Sequence, residues 1–162
     1  MKNLIIITFL ISSIALFSQT QRDDFLGIWE WQNNNQTFRV NFFNEPDGDG
    51  TFSLAGHFTM LETDVSGNET ILYTSDRFIE TTNERFIPMI NGGRYCDWID
   101  SFRFSLMDNT TTKTLLLGVL DLKFISISLG NPLQITWKLR VDGMASVGEV
   151  FNVPTDITLT KQ

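Results

Sequence analysis

The run Gly27-Ile28-Trp29-Glu30-Trp31-Gln32-Asn33-Asn34-Asn35-Gln36-Thr37-Phe38-Arg39-Val40-Asn41-Phe42 decides the fold. Trp29 and Trp31 fall on one side, against Ile28, Glu30 and Gln32. After the Asn-rich break, Phe38, Val40 and Phe42 fall together, against Thr37, Arg39 and Asn41. A period of two marks a strand with one buried face, because successive side chains point to opposite sides of the pleat. Asn-rich breaks between such runs read as turns, since Asn tolerates the left-handed backbone that tight turns need.

The pattern continues outward from this hairpin. Pro46-Asp47-Gly48-Asp49-Gly50 turns the chain, and Phe52, Leu54, Gly56, Phe58 and Met60 then alternate with Ser53, Ala55, His57 and Thr59. Ser66-Gly67-Asn68 is the next turn, leading to Ile71 and Tyr73. Residues 75–100 are less regular and contain Pro88, which a central strand does not accept. Asn91-Gly92-Gly93 predicts a hairpin-type turn. Phe102, Phe104 and Leu106 resume the alternation before Asp108-Asn109. Leu116, Leu120, Leu122 and Phe124 share a phase that Ile125, Ile127 and Leu129 reverse, which predicts a bulge or bend near Phe124. Leu133, Ile135, Trp137, Leu139 and Val141 form another alternating run, and Ile157 with Leu159 a last one.

Eight to ten strands joined by short turns must be antiparallel neighbours, because parallel strands need long crossovers. The predicted class is all-β, an antiparallel up-and-down β-barrel, with a β-sandwich as the alternative.

The N-terminus reads as an address. Behind Lys2, residues 4–17 are apolar apart from Thr8, Ser12 and Ser13. The run is too short for a bilayer, which takes about 20 apolar residues. It predicts a signal peptide over 1–18, cleaved after Ser18, and a single domain over 19–162. The expected location is secreted or periplasmic. No Cys follows the apolar run to carry a lipid anchor, and no later run reads as a membrane span.

Composition removes several functions. A net charge of -7 and a pI near 4.6 oppose binding to a nucleic-acid backbone. One Cys and one His cannot build a Cys/His zinc cluster, and one Cys forbids an intrachain disulfide. No cofactor and no metal are expected. The acidity is regional: Glu45, Asp47, Asp49, Glu62, Asp64, Glu69 and Asp76 lie between Arg39 and Arg77 with no Lys or Arg among them.

Two resemblances add to this reading. Phe25-Leu26-Gly27-Ile28-Trp29 resembles the opening of lipocalin-like barrels, where a Gly-x-Trp begins the first strand. That resemblance implies a Trp packed across the barrel floor against a late-strand Arg, and Arg140 is the matching position. Most of the chain also resembles an uncharacterised family of small secreted flavobacterial proteins. Its carrying residues are Gly27-Ile28-Trp29-Glu30, Phe38-Arg39-Val40, Gly67-Asn68-Glu69-Thr70-Ile71 with Tyr73-Thr74-Ser75, and Phe151-Asn152-Val153-Pro154-Thr155-Asp156-Ile157. The resemblance implies location and fold but no activity.

Candidate chemistry is sparse. Glu45 to Gly50 begins like a calcium loop, but the twelfth position is Gly56 where a bidentate Glu is needed, so an acidic hairpin turn is the simpler reading. His57 falls on the polar face of its strand or inside a polar lumen, as a solvated or hydrogen-bonded His with no nucleophile motif beside it, and no catalytic residue is assigned. Cys96 reads as a buried, inert thiol.

The leading expectation is therefore a non-enzymatic barrel that takes a small apolar ligand in a mouth lined by Trp29, Trp31 and Trp137, with Arg140 nearby. The alternative is a protein-interaction module using the 92–100 loop through Arg94, Tyr95 and Trp98. A hydrolase is the least favoured class.

Overall fold

The computed structural model describes residues 23–46, 52–76, 89–95, 101–110, 116–126, 132–142 and 150–162. Nine strands run in chain order: β1 (Gly27–Asn33), β2 (Gln36–Pro46), β3 (Phe52–Thr63), β4 (Glu69–Thr74), β5 (Ile90–Tyr95), β6 (Ser101–Asp108), β7 (Leu116–Ser126), β8 (Gln134–Val141) and β9 (Asp156–Lys161).

Eight of them close into an antiparallel barrel, and β4 is the extra strand. The ring runs β1-β2-β3-β5-β6-β7-β8-β9 and returns to β1. Closure through both β2–β3 and β1–β9 is what separates a barrel from the sandwich alternative. β3 carries two neighbours on one edge. Thr59 to Thr63 pair with β4, while Ala55 and Gly56 pair with β5.

The turns follow from local chemistry. Asn34 takes a positive φ of 54°, and Asn33 pairs with Gln36 to close the β1–β2 hairpin. The β7–β8 pairing shifts register between Phe124 and Ser126, at the expected place; Ile125 stays exposed, and Ile127 and Leu129 lie outside the described residues. Asn91-Gly92-Gly93, however, does not turn the chain. It lies inside β5, where the register shifts between Asn91 and Arg94, so the positive φ of Gly92 serves a bulge rather than a hairpin. Arg94 and Tyr95 are accordingly strand residues, paired with Arg103 and Phe102.

The inward positions fill the barrel. Trp29, Phe38, Val40, Leu120, Leu122, Ile135, Trp137 and Leu159 have no accessible surface at all. A side chain with zero accessible area touches no water-sized void, so these walls meet in the middle. Phe38 stands edge-on to Trp137, with centroids 5.3 Å apart.

Each end of the ring has a plug. At one end Phe25, just before β1, packs on Phe124 at 4.4 Å and Phe102 at 4.7 Å, with its edge towards Phe42. The Trp29 indole N–H donates to the Phe25 carbonyl at 2.7 Å and locks the plug to the wall. At the other end residues 150–155 cross the barrel and bury Val153. Trp137 donates to the Pro154 carbonyl at 2.8 Å, and the Leu139 amide donates to the Thr155 carbonyl at 2.7 Å. Asp108 of β6 accepts from the Asn152 amide, and the Tyr73 hydroxyl of β4 donates to the Asn152 carbonyl. Burial, and then the Asp108 charge, raise the Tyr73 pKa well above its ordinary value, so the phenol stays a donor.

Candidate functional site

The barrel has two short seams: β3–β5, paired only at Ala55↔Asn91 and Gly56↔Ile90, and β1–β9. β1 and β9 pair only at Trp29↔Lys161 and Glu30↔Thr160, extended by the Gln162 amide donating to the Ile28 carbonyl at 3.0 Å. Beyond Glu30 the two strands part, and a groove of about 450 Å³ opens there. That volume lies within the roughly 300–1,000 Å³ of small-molecule sites.

Residues of opposite parity line the groove. Glu30, Gln32, Thr158, Thr160 and Gln134 occupy outward positions on β1, β9 and β8, and Gln162 follows β9. Trp31 shares the inward phase of Trp29. It packs partly against the core, and its remaining surface lines the groove through the gap. The polar groups are positioned by one another. Gln134 donates to the Thr160 hydroxyl at 3.3 Å, and Gln162 donates to the Thr160 carbonyl at 3.2 Å. Glu30 accepts from Arg39 of β2, which also reaches Glu69 at 3.3 Å. Burial disfavours the Arg39 charge, but its bonds to Glu30 and Glu69 outweigh this and raise its pKa.

The expected site residues divide. Trp29 and Trp137 are both sealed, one under the Phe25 plug and the other against Phe38. Arg140 is not the cation on Trp29. Its side chain is 60% exposed and reaches Asp121 at 2.6 Å on the outer wall. The partner of Trp29 is Lys161, whose Nζ lies 5.6 Å from the ring centroid and donates to the Asp24 carbonyl at 2.7 Å. The parity of Arg140 explains this: it falls between the inward Leu139 and the strand end, on the solvent side. Trp98, Cys96 and the acidic positions 47–50 lie outside the described residues.

His57 is buried. It stacks on Phe43 at 5.5 Å, and its Nδ1 lies 3.4 Å from the Ser75 hydroxyl. Ser75 has no accessible surface and its Oγ accepts the Phe58 amide at 2.8 Å, so this Ser–His contact is a wall element. Among the described residues no three His, Cys, Asp or Glu groups stand together to hold a metal. A second groove, of about 520 Å³, lies beside the β3–β4 turn near Asn35, Glu62 and Asp64. Asp64 is spent on the turn. It accepts from the Asn68 side chain and amide and from the Ser66 amide, and these bonds hold its pKa down.

The family model described as a family of unknown function (DUF6705) matches residues 1–162. The chain belongs to this family. Comparison with curated proteins gives no match, and comparison with solved structures gives none either. Family membership thus brings no chemistry, and the seam has to be read from its own residues. Sequence reasoning singled out Trp31 but missed Gln32, Gln134, Thr158, Thr160 and Gln162. They are ordinary outward strand residues until β9 closes on β1.

Proposed function

We propose that this protein is a non-enzymatic binding module, exported by the signal-like segment over 1–18, whose recognition surface is the outside of the barrel. The observation that carries the reading is the sealed interior. Trp29 and Trp137 have no accessible surface, and Phe25 and Val153 stopper the two ends. An apolar guest inside would have to displace inward side chains that already leave no accessible surface. The non-enzymatic part is supported by His57 and Ser75, whose residue types suit nucleophilic catalysis but which are walled off from substrate. Among the described residues no helix is long and apolar enough to cross a membrane.

A titration with N-phenyl-1-naphthylamine tests the interior. No stoichiometric rise in its fluorescence is expected. A saturable rise at one dye per chain would return the site to the lumen and to Trp29 and Trp137. Cell fractionation with N-terminal sequencing tests export, and a chain beginning at Gln19 outside the cytoplasm is the expected result. Hydrolysis of any member of a broad ester, peptide and glycoside panel by purified protein would overturn the non-enzymatic reading.

A further inference from the structure

We infer that the β1–β9 seam groove is a binding site for a neutral oligosaccharide. This rests on the reading of the barrel's outside as the recognition surface. The lining decides the ligand class. Gln and Thr side chains supply both hydrogen-bond donors and acceptors at close quarters, and a sugar hydroxyl is both at once. Trp31, half-buried against the core, adds a narrow apolar contact beside them, which suits the C–H edge of a pyranose ring.

Other ligand classes fit less well. Phosphates and acidic sugars need a cation, and the charge lining this groove is the Glu30 carboxylate, with Arg39 turned to Glu30 and Glu69. Lipids need an apolar wall, whereas most of the lining residues here are Gln, Thr and Glu. An added peptide strand needs length. The parted edges offer only Trp31 to Asn33 on one bank and Asp156 to Leu159 on the other. That is shorter than the strand of about five residues that sheets normally use.

The experiment is an NMR titration of the full mature chain labelled with ¹⁵N. Cello-, laminari-, malto- and xylo-oligosaccharides are added in turn at millimolar concentration. An oligogalacturonate and an alternating Thr–Val peptide serve as contrasting probes. The Trp31 indole signal and the side-chain amides of Gln32, Gln134 and Gln162 should shift together with at least one neutral saccharide. Trp31→Ala should weaken that binding by about tenfold or more, as loss of an aromatic anchor does. Because Trp31 also packs on the core, Gln134→Ala and Thr158→Ala on the outer face provide the second check, and each should weaken the same saccharide. The inference is overturned if no neutral saccharide moves these signals, if both outer-face variants bind unchanged, or if the oligogalacturonate or the peptide binds more tightly. Exclusion of the naphthylamine dye alongside a silent saccharide titration would sink this inference alone. Stoichiometric dye uptake would sink the outer-surface reading beneath it.

Discussion

The barrel closes on itself at two seams of very different make. β2 and β3 pair from Gln36↔Glu62 to Pro46↔Phe52 with an unbroken register, whereas β1 and β9 pair at only two positions. The first seam is a hairpin whose ladder is long enough to hold itself. The second joins the two ends of the described chain and is held by side chains. Trp29 inserts beneath it, Lys161 covers the indole, and the Lys161 ammonium reaches back to Asp24. Where a ladder is that short, its flanks separate. The groove at Trp31 is the consequence, so a part of the wall with a ladder as short as that of β3–β5 also has a shape to offer a ligand.

Removing Trp29 attacks the short seam where it is held. Trp29→Ala empties a fully buried indole site and deletes the bond to the Phe25 carbonyl. The expected loss is about 3–5 kcal/mol, read as a lower urea midpoint. Hydrogen exchange in the native protein sharpens the comparison. The amides of Thr160 and Gln162 should exchange through local opening well before those of Arg39 and Thr59 on the long seam. Equal protection at both seams would erase the distinction.

Gly118 tests the plug instead of the seam. A Cβ there would lie 2.5 Å from the Phe151 ring and 2.8 Å from Leu139, so the 150–155 segment would have to move. Gly118→Ala should cost about 1–3 kcal/mol by overpacking and should raise acrylamide quenching of Trp137, whose indole bond to Pro154 would loosen. A quenching curve unchanged from wild type would mean that the plug does not guard the interior.

Lys161→Met keeps the apolar stem over Trp29 and removes the charge. The cation–π contact and the bond to Asp24 go with it. A loss of about 0.5–2 kcal/mol in urea denaturation is expected, with faster exchange confined to β1 and β9. A neutral outcome would leave Trp29 alone as the seam's anchor.

The fold was legible because its signal is local. Each alternating run from Trp29 to Leu159 needs only its own residues to declare a buried face, and the irregularity after Phe124 fell where the pattern changes, although Ile125 itself stays exposed. Asn91-Gly92-Gly93 misled for a related reason. Gly at positive φ serves a turn and a bulge equally, and only the β6 register distinguishes them. Arg140 misled because the choice between Arg140 and Lys161 depends on which strand closes the ring. The groove was legible only in Trp31. Its other residues come from three strands, and their meeting is a property of the closure, not of any stretch of chain.

The smallest effect belongs to the outer wall away from both seams, and its use is as a control. Asp121 of β7 lies between Arg103 at 2.7 Å and Arg140 at 2.6 Å. Burial alone would raise its pKa, but the hydrogen bonds and charges of the two guanidiniums outweigh this and hold it below the ordinary carboxylate range. A carboxylate with a depressed folded pKa stabilises the protein above its unfolded pKa, and the contribution disappears as pH falls through the folded value. Wild type should therefore lose a little more stability than Asp121→Asn between neutral pH and pH about 3, by less than about 1 kcal/mol because the cluster is open to water. Thermal melts of both proteins across that range read the difference, and raised salt should shrink it. Because the cluster shares no residue with the short seam, the same substitution should leave exchange at Thr160 and Gln162 untouched. If that exchange changed as well, β1–β9 would be coupled to the whole barrel wall and would not open as a local weak point.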